Sequence, residues 1–69
     1  MPDSVYKIIE LVGSSPVSWE EAAKNAIARA SETLRDLRIA EVSAMDIHLK
    51  EGKIEFYRTK VKLSFKFEA

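Results

Sequence analysis

Residues 51–67, EGKIEFYRTKVKLSFKF, form the stretch that decides the fold. Its first three residues contain a glycine, which tolerates the positive φ angles of a tight turn, and apolar and polar residues then alternate from Ile54 to Phe67. Successive side chains of a β-strand point to opposite faces, so this alternation predicts a strand with one core face and one solvent face. The predicted core face holds Tyr57, Thr59, Val61, Leu63, Phe65 and Phe67, and the solvent face holds Arg58, Lys60, Lys62, Ser64 and Lys66.

The segment before the turn, Ile39 to about Lys50, also has a period of two and is the predicted hairpin partner. Strict alternation places Ile39, Met45, Ile47 and Leu49 on one face and Val42 and Ala44 on the other. Both faces of this strand therefore carry apolar side chains.

An amphipathic helix is predicted upstream of the hairpin, beginning after Ser18 and running for about five turns towards Leu37. Its apolar positions mostly lie three or four residues apart: Trp19, Ala22, Ala23, Ala26, Ile27, Ala30, Leu34 and Leu37. The Ser18 hydroxyl is placed to cap the helix by accepting a hydrogen bond from the Glu21 N–H.

The N-terminal segment from Val5 to Val12 is an apolar, β-branched run that predicts a first strand, closed by a turn at Gly13-Ser14-Ser15-Pro16. A single helix can cover only one face of the resulting three-stranded sheet. The apolar residues on the other face then need a second copy of the chain to bury them, so the pattern predicts an oligomer.

Length and charge restrict the classes of function. Sixty-nine residues without cysteine form one domain, residues 1–69, with no disulfide or thiolate-bound zinc to stabilise it. Eleven basic and eleven acidic residues cancel, which disfavours nucleic-acid binding, and no segment is apolar enough for a membrane anchor or signal peptide. These features predict a soluble cytoplasmic protein.

Candidate chemistry is sparse. His48 and Asp46 alternate on one strand face and could flank a cation or a substrate, although a solvent-facing histidine is the simpler interpretation. Glu41 and Asp46 are strand carboxylates that could meet across subunits around a hard cation, or form surface salt bridges. The basic stripe on the last strand could bind an anion through Lys60 and Lys62 or could be a solvated, edge-protecting face.

The order and spacing of several short motifs resemble the dodecin family over nearly the whole length. These motifs are Tyr6-Lys7, Glu10-Leu11-Val12-Gly13-Ser14-Ser15, Ser18-Trp19-Glu20, Thr33-Leu34-Arg35, Ala40-Glu41-Val42, Gly52-Lys53-Ile54, Tyr57-Arg58 and Leu63-Ser64-Phe65. The resemblance implies an α+β subunit of βαββ order, whose three-stranded antiparallel sheet partly wraps the helix. It also implies a hollow homododecamer that stores riboflavin or its phosphate, FMN, at subunit contacts without turning it over.

Two positions differ from the flavin pocket that the resemblance implies. The family has a tryptophan that stacks on the flavin ring where this sequence has Ile39, and a glutamine that bonds the ring edge where this sequence has Arg58. Ile39 lacks an aromatic face, and Arg58 only donates hydrogen bonds.

The Ile39 and Arg58 pair is more similar to the branch of the family associated with calcium. We therefore expect a small-molecule-binding storage or sequestration shell with no enzymatic activity, whose ligand at Ile39 and Arg58 is either a flavin bound without the tryptophan or, alternatively, calcium. Glu41 and Asp46 are candidate calcium ligands on their charge alone.

Overall fold

The computed structural model describes residues 4–67 and has the predicted βαββ order. Strand β1 spans Tyr6–Ser15, helix α1 Trp19–Ser31, strand β2 Leu37–Lys50 and strand β3 Lys53–Lys66. The three strands form one antiparallel sheet in the order β1-β3-β2, so the alternating strand lies in the centre. The predicted α+β class and the three-stranded antiparallel sheet are confirmed.

Helix α1 begins as predicted but ends earlier. Ser18 has an extended backbone and its hydroxyl accepts a hydrogen bond from the Glu21 N–H. The helix ends at Ser31 because the chain then tightens, with Thr33 and Leu34 both donating to the Ala30 carbonyl, and Asp36 adopts a left-handed φ of 58°. The prediction of five turns was wrong. Leu34 and Leu37 continue the apolar spacing of the helix, but they reach the core from the α1–β2 connection and from β2.

Strand β1 continues through the segment predicted to be a turn. Gly13 and Ser15 lie opposite Thr59 and Tyr57 of β3, in register with the rest of the strand. Gly13 is required by the helix, since a Cβ atom here would overlap the Ala22 carbonyl oxygen and lie 3.0 Å from the Ala26 Cβ. The glycine therefore marks a close helix–sheet contact rather than a change of chain direction.

The first turn of α1 is also bonded to the sheet. The Thr59 hydroxyl, buried on the central strand, donates a hydrogen bond of 2.8 Å to the Trp19 carbonyl. The Trp19 indole N–H donates to the Asp46 carbonyl at 3.0 Å, and the indole ring packs edge-on against Tyr57 at 5.1 Å between centroids. These contacts fix the start of the helix against both hairpin strands.

A β-bulge in β2 corrects the predicted faces of that strand. The register moves from Val42 opposite Val61 to Ala44 opposite Lys60, which leaves Ser43 as an extra residue. Directly paired residues share a face, so Val42 and Met45 lie with the helix, whereas Ile39 and Ala44 lie on the opposite face. Strict alternation placed Ile39 with Met45 and Val42 with Ala44, and both groupings were wrong because of this one residue.

The β2–β3 hairpin extends well past the helix. Its loop is Glu51-Gly52, with φ angles of 51° and 75°, which is the geometry of a tight two-residue hairpin. Each hairpin strand has 14 residues whereas the helix has 13, and a helix rises less than half as far per residue. The helix therefore covers only part of the hairpin, and the chain measures 54 × 20 × 15 Å.

The core of the single chain is small for the number of apolar residues. Among residues 4–67 the buried apolar side chains are Ala22, Ala26, Ala30, Val61 and Leu63. Larger apolar groups on both sides of the sheet remain exposed, including Ile39 at 66% and Ile8 at 61%. The radius of gyration is 14.3 Å, against about 11 Å for a compact domain of this length. The fold of one chain leaves much apolar surface exposed, which agrees with the predicted need for a second copy.

We predict that Gly13→Ala lowers the free energy of unfolding by about 3 kcal/mol or more, because the methyl group forces the helix away from β1. The matched control is Gly52→Ala, which meets no neighbouring atom and should cost only about 1–2 kcal/mol from its positive φ angle. Urea unfolding at one fixed protein concentration measures both. Equal losses for the two variants would contradict the close-contact argument.

Candidate functional site

The candidate site residues lie on the outer face of the sheet, which we define as the face opposite α1. Its central column comes from β3 and consists of Phe56, Arg58, Lys60, Lys62, Ser64 and Lys66. Residues of β1 and β2 stand beside this column in rows, such as Ser14–Arg58–Asp46 and Glu10–Lys62–Glu41. The predicted solvent face of β3 is confirmed as a face without helix cover.

Arg58 and Asp46 form the best-defined polar contact on the outer face. Arg58 Nε donates to Asp46 Oδ1 and Arg58 Nη2 donates to Asp46 Oδ2, both at 2.7 Å. This side-on geometry uses two parallel hydrogen bonds and orients the guanidinium group in one plane. Both side chains are about half exposed, at 48% and 55%, so solvent and ligands can reach the pair.

The pair changes the acidity of both groups. The hydrogen bonds from Arg58, together with its charge and that of Lys60, hold the pKa of Asp46 below its ordinary value. The hydrogen bond to Asp46 raises the pKa of Arg58. Asp46 is therefore ionised at neutral pH, and the stabilisation that the pair provides is lost as the pH falls from the ordinary pKa of an aspartate through the lowered pKa of Asp46.

Ile39 lies on the same face as Arg58 but far from it. Ile39 pairs with Ser64, six positions along β3 from Arg58, which corresponds to about 20 Å. A flavin ring system is shorter than this separation, so one chain does not bring the two predicted pocket residues together. A pocket that uses both residues needs Ile39 from one copy and Arg58 from another.

Neighbouring carboxylates accompany two cations of the basic stripe, Arg58 and Lys62. Lys62 stands between Glu10 and Glu41, and Arg58 is paired with Asp46, whereas Lys60 stands between Val12 and Ala44. Lys60 thus has no carboxylate directly opposite it within residues 4–67. The anion contacts predicted at Lys60 and Lys62 stay a prediction, with Lys60 the less compensated of the two.

The two candidate calcium ligands do not meet within one chain. Glu41 and Asp46 pair with Lys62 and Arg58, four positions apart along β3, or about 13 Å. Calcium holds its oxygen ligands at 2.3–2.6 Å, so a single ion does not bind both carboxylates of one chain. No cluster of three or more His, Asp or Glu side chains suited to a metal occurs within residues 4–67.

His48 shares the outer face with Asp46, as its spacing predicted, but it contacts a different acid. His48 Nε2 lies 3.3 Å from Glu55 Oε1, and the imidazole ring packs against Phe56 at 6.0 Å between centroids. Lys50 also approaches Glu55, at 4.0 Å. These contacts hold His48 in a charged cluster near the hairpin tip, away from Ile39.

The structure also has a concave surface that was not predicted from the sequence. An open, mostly apolar groove of about 380 Å³ lies between the first turn of α1 and strand β2. It is lined by Ser18, Trp19, Glu20, Ala23, Val42 and Met45. It exists because α1 packs over β1 and β3, and because the Ser43 bulge turns Met45 towards the helix side. Only the register of the bulged strand could have revealed it.

The sequence matches the dodecin family over residues 5–68, which is nearly the whole chain. This chain belongs to the dodecin family. The predicted family resemblance is confirmed.

Among curated relatives, the calcium dodecin of Mycobacterium tuberculosis is 47% identical over 64 residues, which cover 91% of this dodecin and 89% of the relative. The crystal structure of that protein, a calcium-chelating immunodominant antigen, contains a novel calcium-binding site. It superimposes with a TM-score of 0.84 at 45% identity, over 94% and 93% of the two chains. The structure of dodecin from Streptomyces coelicolor gives a TM-score of 0.92 at 35% identity, covering 100% and 99%.

Other predictions about this dodecin are less closely tested. No helix within residues 4–67 is long and apolar enough to cross a membrane. The cytoplasmic location and the absence of enzymatic activity stay predictions.

We predict that Arg58→Gln raises the pKa of Asp46 towards that of an ordinary aspartate, because it removes the hydrogen bonds and the nearest positive charge. Lys60→Gln is the matched control and should raise this pKa less, since Lys60 acts only through its charge. Carboxyl-detected NMR titration measures the Asp46 pKa in each variant. An equal rise in both variants would show that the bidentate contact is not the main cause.

Proposed function

We propose that this dodecin assembles through its outer face into a closed homododecameric shell that stores or sequesters a small ligand at the contacts between copies. Each subunit is one domain formed by residues 1–69. The observation that carries the proposal is the separation of Ile39 from Arg58 by about 20 Å on one exposed face. A binding site that uses both positions is complete only when two copies meet.

Burial of the outer face also supports the assembly. Ile8, Val12 and Ile39 are each more than half exposed in the single chain. Fully burying each of these side chains stabilises the assembly by roughly 1.5–3 kcal/mol. The single chain needs this contribution, because its small core consists mostly of alanine. The sheet thus has a stabilising reason to associate that is independent of any ligand.

Assembly is tested by light scattering, which should give a mass of about twelve times the 7.8 kDa of one chain. Val12→Glu introduces a charge on the outer face and should shift the mass to smaller species. Lys60, directly opposite Val12, compensates the new charge within the chain, so the protomer itself should stay folded. Val17→Glu is the matched control, because Val17 is more exposed but lies in the β1–α1 connection.

The expected result is a twelve-chain mass for the parent and the control, and a smaller mass for Val12→Glu. A parent protein that stays monomeric or dimeric at micromolar concentration would overturn the proposed shell. A full-size Val12→Glu particle would show that the outer face is not the assembly surface.

For the ligand, we propose calcium ahead of flavin. The relationship to a calcium dodecin supports calcium, and the absence of an aromatic ring at Ile39 removes the stacking surface for flavin. Within this proposal Glu41 supplies carboxylate oxygens from more than one copy, since the two carboxylates of one chain are too far apart to share an ion. Asp46 can bind the ion only if its carboxylate first gives up the hydrogen bonds from Arg58.

Isothermal titration of the assembled protein with calcium should show saturable heat, and Glu41→Gln should weaken binding by about tenfold or more, because it removes a charged ligand from every copy that shares the ion. Glu51→Gln is the control for the same charge change at the hairpin loop and should bind like the parent. Parallel titration of riboflavin and FMN, read by flavin fluorescence, tests the alternative. A flat calcium titration together with strong flavin quenching would reverse the order of the two ligands.

A further inference from the structure

Arg58 is the position at which the proposed ligand site would recognise a charged group, and its surroundings determine which charge it accepts. Arg58 lies on the central strand, with Ser14 on one side, Asp46 on the other, and Phe56 and Lys60 above and below it in the same column. Asp46 is the carboxylate paired with it among residues 4–67. The charge that Arg58 presents to a ligand therefore depends on Asp46.

The bidentate contact occupies the edge of the guanidinium group that a phosphate or carboxylate ligand would use. Nε and Nη2 together form the donor pair that matches two oxygens of an anion, and both already donate to Asp46 at 2.7 Å. An anion that binds this edge must displace a carboxylate held on the adjacent strand, and such a tethered competitor acts at a high effective concentration. An anion that binds the remaining N–H groups meets a guanidinium whose charge Asp46 already neutralises.

Asp46 itself is held in place by contacts on the other side of the sheet. The Trp19 indole N–H donates to its backbone carbonyl, and Trp19 is fixed in turn by Thr59. The carboxylate is therefore presented to Arg58 by a rigid part of the fold rather than by a loop.

We propose that Asp46 sets the charge selectivity of the ligand site by neutralising Arg58, so that the site rejects phosphate-bearing ligands and accepts neutral or cationic ones. The inference deepens the proposed function and rests on it for its biological meaning. Among flavins, the site accepts riboflavin in preference to FMN, which carries a phosphate. Among ions, the site tolerates a cation, because the adjacent Arg58–Asp46 pair carries no net charge.

The test uses inorganic pyrophosphate as an anionic probe, titrated calorimetrically into the assembled protein at low ionic strength. Asp46→Asn keeps the side-chain shape and removes the charge, and it should increase pyrophosphate affinity by at least about tenfold. Glu10→Gln removes the same charge from the outer face, but Glu10 lies opposite Lys62, about 13 Å along the sheet. This control should change the affinity less than about twofold.

A second pair of variants assigns any gained binding to Arg58. Asp46→Asn combined with Arg58→Gln should lose the gain, because no guanidinium is left to bind the anion. In the parent protein, Arg58→Gln should weaken pyrophosphate binding no more than Lys60→Gln, which removes the same charge from the same column, because Arg58 is already paired with Asp46. This last comparison needs no Asp46 variant and holds even if Asp46→Asn does not fold.

Three results would overturn the inference: equal gains in Asp46→Asn and Glu10→Gln, no gain in either, or a larger loss of parent pyrophosphate binding in Arg58→Gln than in Lys60→Gln. The proposed function is scored separately, by the particle mass and by the calcium and flavin titrations. A protein that binds no flavin still reports on Arg58 through pyrophosphate, so failure of one proposal is distinguishable from failure of the other.

Discussion

The close contact between Gly13 of β1 and the Ala22 carbonyl of α1 is the constraint on which the rest of the structure depends. A side chain at position 13 would hold the helix away from the sheet. The buried residues of the helix are Ala22, Ala26 and Ala30, whose small side chains allow the same approach along the whole contact. The helix consequently lies low over β1 and β3, and it leaves most of β2 and the hairpin tip uncovered.

This packing accounts for the imbalance between a small core and a large exposed apolar surface. Tight contact through alanine and glycine buries little area per residue, so the single chain gains little from its own folding. The uncovered β2 and the outer face supply the remaining apolar area. On the proposed assembly, folding of the chain and association of its copies are best regarded as one process, and the proposed ligand site arises where the copies meet.

The sequence predicted those parts of the fold that depend on local pattern. The alternation of β3 gave its two faces correctly, and Ser18 gave the start of the helix. The end of the helix was missed because Leu34 and Leu37 keep the helical spacing while packing from outside the helix. The β2 faces were missed because the Ser43 bulge, like the pairing of Arg58 with Asp46, follows from register between strands, which no single strand specifies.

The Ser43 bulge also decides which residues of β2 can act together. It puts the two halves of β2 out of phase, so that the outer face is built from odd-numbered residues before it, such as Ile39 and Glu41, and from even-numbered residues after it, such as Ala44 and Asp46. Strict alternation from Ile39 would turn Asp46 towards the helix, away from Arg58. One extra residue therefore allows Ile39 and the Arg58–Asp46 pair to lie on the same face of one sheet.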